Sequence, residues 1–372
     1  MKRILFVALA ATLLAAGCQK TEIINSVRGD AMTFTTAMGK LTKANVPDAD
    51  STGVFNLQRQ NFKVWAYCAY KDENNGKNYG DVYDSMSALD VTCDTTTGAW
   101  STELTYYWPG TNKKLDFFAV STGATWKQDA TPGIEWEIEN GGVDTIGVNV
   151  RKLHVKGYTV DKDNPNDDLM VAEFVRQDQD MNDKNVKLHF KHALAKVQFK
   201  FLTNAEDDEV FVDTLIVSNL RTIGNLTVSE TAETYGENDK TGRVKVNLSW
   251  EPVDTAGVVA FSDDYSGSLK LRTTADEYAT WLVLPQDISN KTVKIAYTIN
   301  DRSFEQTFAL TRPAVAEVKN GDEIVTPGQE AFASWDINQV VIYTINLSPN
   351  KITFVPSVED WKTPADNLTD QN

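Results

Sequence analysis

A chain of 372 residues that is 41% hydrophobic and 24% charged, with nine Trp and sixteen Phe, has too much apolar and aromatic side chain to stay disordered, and it is long enough for two domains. Its formal charge of −16 repels phosphate backbones and anionic headgroups, which argues against nucleic acid as a partner and against charge-driven membrane attachment. Past the first residues, no apolar run reaches the roughly 20 residues of a membrane-spanning helix, so the body of the chain is expected outside the bilayer.

The chain begins with Lys2 and Arg3, an almost unbroken apolar run from Ile4 to Ala16, and then Gly17-Cys18. This is the layout of a secretory signal over residues 1–17. Its end, Leu14-Ala15-Ala16-Gly17-Cys18, resembles a bacterial lipobox, with Ala15 where Leu is commoner. The resemblance makes Cys18 the lipidated first residue of the mature chain and residues 18–31 a linker to the outer membrane. An anchor with more than one acyl chain holds stably, because each buried methylene contributes about 0.8 kcal/mol.

After the linker, apolar and polar residues alternate with period two, which predicts half-buried strands of antiparallel sheets and an all-β fold. In chain order the clearest are Phe62-Val64-Ala66-Cys68, Ile134 to Glu139, Val186-Leu188-Phe190, Val197-Phe199-Phe201, Val244 to Trp250, Val293 to Ile299, and Phe304 with Phe308 and Leu310. Clusters such as Asn74-Asn75-Gly76 and Asn140-Gly141-Gly142 supply the turns. Short strands at this spacing predict sandwiches. The charged run Gln177 to Lys187 places a boundary that gives an N-terminal domain over 32–181 and a C-terminal domain over 182–372, the latter closing with strands Val340 to Ile345 and Lys351 to Val355 and a polar tail. Cys68 and Cys93 remain as an even pair, able to form a disulfide in an oxidising compartment or to sit as buried thiols.

Catalytic chemistry is thinly supplied. The imidazoles are His154, His189 and His192, and on a strand the His189-x-x-His192 spacing puts the last two on opposite faces, unsuited to one metal. Asp161 and Asp163 open like a calcium loop, but Pro165 takes the next ligand position and no glycine follows. No phosphate loop or nucleophile elbow is present. No catalytic residue, cofactor site or metal ligand is therefore expected. One alternative is a surface glycan-binding lipoprotein presenting Trp100, Trp126 or Trp281 to sugar rings; another is a hydrolase, which would need two facing carboxylates in a deep cleft.

Several motifs recur in a recognisable order: Tyr106-Tyr107-Trp108-Pro109, Leu115-Asp116-Phe117-Phe118-Ala119, Asp168-Leu169-Met170-Val171-Ala172, Leu188 to Val197, Leu284-Pro285-Gln286, then Trp335, Tyr343 to Leu347, Ile352-Thr353-Phe354 and Asp360-Trp361. With the lipobox, they resemble the fimbrillin family of Bacteroidetes, the Mfa-like and FimA-like subunits of type V pili. The resemblance implies two transthyretin-like Greek-key β-sandwich domains in tandem, a surface fimbrium built with other pilin subunits, and adhesion to a host protein or glycan. It also implies proteolytic removal of an N-terminal strand and its replacement by a neighbour's strand. Here that strand is Met32 to Met38, with Met32, Phe34 and Met38 on one side. The family's cut follows Arg, whereas the matching turn reads Lys43-Ala44; the nearest downstream Arg is Arg59, close to the strand at Phe62.

Overall fold

The computed structural model of the chain describes residues 29–37, 61–72, 74–94, 97, 99–121, 133–139, 150–160, 162, 168–181, 184–231, 242–253, 258–314, 316–320, 323–326, 330–349 and 351–360. Every regular element among them is a β-strand, as the period-two alternation requires. The first ten are β1 (Thr33–Ala37), β2 (Phe62–Cys68), β3 (Leu89–Cys93), β4 (Trp100–Ser101), β5 (Leu115–Ser121), β6 (Gly133–Glu139), β7 (Val150–Thr159), β8 (Met170–Ala172), β9 (Phe174–Gln177) and β10 (Asn185–His192). Seven of them close into a barrel in the order β5-β2-β3-β4-β1-β10-β8, with β8 returning to β5. β9 follows β8 along the same side of β5 after a break at Glu173, whose N–H bonds to His189 O.

The remaining strands are β11 (Ala195–Leu202), β12 (Val210–Arg221), β13 (Ile223–Glu230), β14 (Arg243–Val244), β15 (Val246–Pro252), β16 (Val258–Lys270), β17 (Asp276–Val283), β18 (Gln286–Asp287), β19 (Thr292–Ile299), β20 (Arg302–Ala309), β21 (Val318–Asn320), β22 (Glu323–Thr326), β23 (Ser334–Trp335), β24 (Gln339–Ser348) and β25 (Lys351–Asp360). Two four-stranded sheets, β17-β11-β24-β25 and β16-β12-β19-β20, face each other. Ring contacts between them mark both margins: Phe261 meets Trp281 at 5.6 Å, and Phe308 stacks on Phe354 at 5.0 Å. The β19–β20 turn shows how locally the sequence dictates this. Asn300 and Asp301 have φ of 48° and 61°, the paired left-handed geometry of a two-residue hairpin whose twist matches its strands, and Ile299 then faces Arg302.

A third sheet, β15-β13-β7-β6, covers one side of the barrel. This explains why β2 and β5 are buried at every residue rather than at alternate ones. Phe62, Val64 and Ala66 point into the barrel with Phe117 and Phe190. Trp65, Tyr67 and Phe118 point outward, the ring of Phe118 stacking on Trp65 at 5.0 Å and on Tyr67 at 5.7 Å, and join Leu153, Val155, Leu226 and Val228 of the covering sheet. Burial pushes the Tyr67 phenol up to about 12, as expected for a group whose charged form loses its hydration.

The strands expected from alternation are all present in the described residues, with three differences of detail. The run from Val244 to Trp250 is split at Lys245, so that β14 pairs with β9 of the barrel and β15 with β13. Two pairs are parallel, β1 with β10 and β11 with β24. And β10, expected to open the second domain, is hydrogen-bonded inside the barrel to β1 and β8.

Between the facing sheets, Tyr343 is fully buried, its hydroxyl accepting from Trp335 Nε1 at 3.0 Å and donating to Leu310 O at 3.1 Å. Replacing Tyr343 by Phe removes the partner of a buried indole N–H, and urea unfolding should show a loss of about 1–3 kcal/mol.

Candidate functional site

β1 is the barrel strand most weakly tied to the rest by chain connectivity. It precedes every other described strand, and residues 38–61 separate it from β2. Its five residues pair in parallel with β10, Phe34 opposite Val186 and Thr36 opposite Leu188. On its other side it touches β4 through the single pair Phe34 with Trp100. Upstream, the chain runs antiparallel to Tyr106–Trp108: Met32 N–H bonds to Tyr106 O at 2.8 Å, Trp108 N–H to Asp30 O at 3.0 Å and Gly29 N–H to Trp108 O at 3.0 Å.

Alternation decides what this strand fills. Met32 and Phe34 are 8% and 5% exposed and lie in the barrel core, while Thr33 and Thr35 face solvent. Phe34 meets Phe117 edge-on at 6.4 Å, and Trp108 meets the same ring at 5.7 Å. The slot is completed by Phe62, whose ring lies 4.9 Å from Trp100 and 5.3 Å from Phe190. Two polar contacts hold the outer side: Asn185 Nδ2 to Thr35 Oγ1 at 3.1 Å and Lys184 Nζ to Asp30 at 2.8 Å. β1 thus fills an apolar furrow bounded by β10, β4 and the Tyr106–Trp108 segment.

Of the sequence-derived candidates, Met32 and Phe34 come together in this furrow. Met38, Lys43, Ala44, Arg59, Cys18 and Trp126 lie outside the described residues. Gly29, Asp30, Trp108 and Lys184 were missed as partners of the strand, because residues 18–31 read as a linker; Tyr106-Tyr107-Trp108 carried the only signal, an aromatic run without an assigned strand.

The cysteines are not bridged. Cys68 is the last residue of β2, whereas Val91 faces Phe62 at the other end, so Cys93 lies on the order of 20 Å or more away at the usual rise per residue. That separation is several times what a disulfide spans. Both thiols are free, and burial pushes both up, which keeps them protonated and unreactive.

His189 and His192 occupy opposite faces of β10 as expected. His192 is buried with Nδ1 2.5 Å from Asp168 Oδ2, and His189 Nδ1 lies 3.5 Å from Arg243 Nη1. Trp281 is 2% exposed and donates to Asp263 Oδ2 at 3.1 Å, so it offers no flat platform for a sugar, while Trp100 is half-buried with its ring against Phe62.

The family described as fimbrillin-like matches residues 42–361. No curated protein matches the chain. Among solved structures, a fimbrial protein from Bacteroides vulgatus is 15% identical, covering 89% of this chain and 99% of its own, with a TM-score of 0.51. A protein from Bacteroides uniformis assigned to cell adhesion is 16% identical over 89% and 99% of the two chains, with a TM-score of 0.46. At these identities the first likeness speaks to the fold alone, and the second carries no argument. The family match spans all but one of the strands, and on it the chain belongs to the fimbrillin-like family, as a structural and adhesive subunit of surface pili rather than an enzyme.

Proposed function

We propose that this subunit joins its fibre by strand exchange, with β1 as the segment that leaves and a strand of a neighbouring subunit as the one that replaces it. The observation that carries the reading is the position of β1: it completes the barrel core, yet one cut between Ala37 and Phe62 frees it without breaking another of the described strands. Its departure would bare the backbone edges of β10 and β4 and return Met32 and Phe34 to water, at about 1.5–3 kcal/mol for each side chain. An incoming strand would restore both, which is the driving force of strand addition.

In the same reading the chain is delivered to the cell surface as a lipoprotein acylated at Cys18, supported by Leu14 to Cys18. The cut falls at Lys43-Ala44, supported by the position of that pair between β1 and β2, and Arg59 is avoided because it adjoins β2. The two transthyretin-like units are the barrel with its covering sheet and the pair of facing sheets; the chain first passes from one to the other at Ala193, between β10 and β11, and returns through β13, β14 and β15 before re-entering the facing sheets at β16. β25, the last described strand, pairs only with β24 among the described residues and leaves Val355 and Val358 exposed at 51% and 38%, an open edge on the facing sheets. An exposed edge of this kind is a template for pairing with another chain.

Treating the mature chain with a trypsin-like protease tests the assignment. Release of a fragment ending at Lys43, followed by a ladder of oligomers resistant to mild detergent, is the expected result. An undigested N-terminus with no ladder would remove the stalk role.

A further inference from the structure

The furrow holds more than β1, and its upstream end has a demand that β1 itself does not meet. Gly29 lies where a side chain does not fit: a Cβ added there would stand 2.6 Å from Trp108 O and 2.8 Å from Trp108 Cβ, with Gln179 Oε1 at 2.5 Å. The glutamine can swing aside, but Trp108 cannot. Its side chain is 1% exposed, its ring packs on Phe117, and its indole N–H is donated to Lys184 O at 3.1 Å. Its backbone is held from the strand side as well, by the exchange of hydrogen bonds with Gly29 and Asp30. The requirement is therefore one of space between two backbones, the close approach that only glycine permits.

We infer that the furrow selects the strand it accepts by requiring glycine opposite Trp108, three residues before one buried apolar side chain and five before a second. Gly29, Met32 and Phe34 of this chain spell that pattern. The inference rests on the strand-exchange reading and adds its specificity: the occupant is an extended segment of another subunit carrying glycine, apolar and apolar at these intervals. A segment slipped by one residue would turn its apolar side chains to solvent, and a segment with a larger residue in place of glycine would have to bulge away from Trp108 or end short of it. The Lys184 ammonium adds a smaller preference for an acidic residue directly after the glycine, as Asp30 is here; both groups are half exposed, so the contribution is modest.

The test uses the full mature chain with a site-specific protease sequence placed within residues 44–58 and cut there. Fluorescent peptides of residues 28–38 are then added, with the parent sequence or with Gly29→Ala, Gly29→Val or Thr33→Ala. The parent and Thr33→Ala peptides are expected to displace the cleaved segment equally well, Thr33 being exposed. Gly29→Ala is expected to bind at least about tenfold more weakly, and Gly29→Val more weakly still. Equal binding of the glycine and alanine peptides would overturn the selection by glycine and leave strand exchange standing. Failure of every peptide to enter would overturn both.

Discussion

Phe34→Asp is expected to unseat β1, because it places a carboxylate without a partner beside Phe117 in the barrel core. Truncating a buried Phe costs about 3–5 kcal/mol, and an unpaired charge in the same place raises that further. The chain has an escape, however, which is to let the strand go. The loss is therefore capped by what docking of β1 is worth, and it should be local. Hydrogen exchange would show the amides of Thr33–Ala37 unprotected while those of β12 and β19, in the facing sheets, keep their protection. Thr33→Asp, one residue away on the solvent face, should change stability by no more than about 0.5 kcal/mol. Global unfolding of the Phe34 variant would mean that β1 is integral to the body rather than seated upon it.

The second large effect is expected at the contact between the barrel and its covering sheet. Asp116, on the outer side of β5, accepts Arg176 Nε and Nη2 at 2.7 and 2.9 Å and also pairs with Arg151 of β7. Arg151 is 1% exposed, lies over the ring of Phe174 and reaches Glu230 of β13 at 2.8 Å. Asp116→Ala leaves the buried guanidinium with one of its two carboxylates, and removing one partner of a buried pair costs about 3–5 kcal/mol. Adding Arg151→Met should recover part of the loss, since the charge left behind is then gone. Denaturant unfolding of the two single variants and the double variant measures this; strict additivity would show that the pair does not couple barrel to sheet.

Much of this architecture is legible in the sequence because strand periodicity depends on local alternation. β19 and β20 are visible as alternating runs, and Asn300-Asp301 marks the turn between them. The side of β1 that enters the core is legible for the same reason, Met32 and Phe34 being two residues apart. What alternation cannot convey is pairing. It leaves strand direction open, so the parallel partnership of β1 with β10 could not be read, and it leaves layers open, so β2 looked half-buried although the β6–β7–β13–β15 sheet covers its outer face. A boundary drawn through the charged run before Asn185 separated β10 from its barrel, because charge marks exposure and not hydrogen bonding. The need for Gly29 was hidden for a further reason: it comes from Trp108, distant in sequence, and a glycine in a linker looks like any other.

The account stands on β1 being replaced in the assembled fibre, and the mass of the subunit recovered from surface pili tests this most directly. Polypeptides beginning between Met38 and Phe62, with Ala44 the expected first residue, and lacking Gly29–Ala37 altogether, are the predicted result. Fibres built from chains that still begin at or before Gly29 would contradict it.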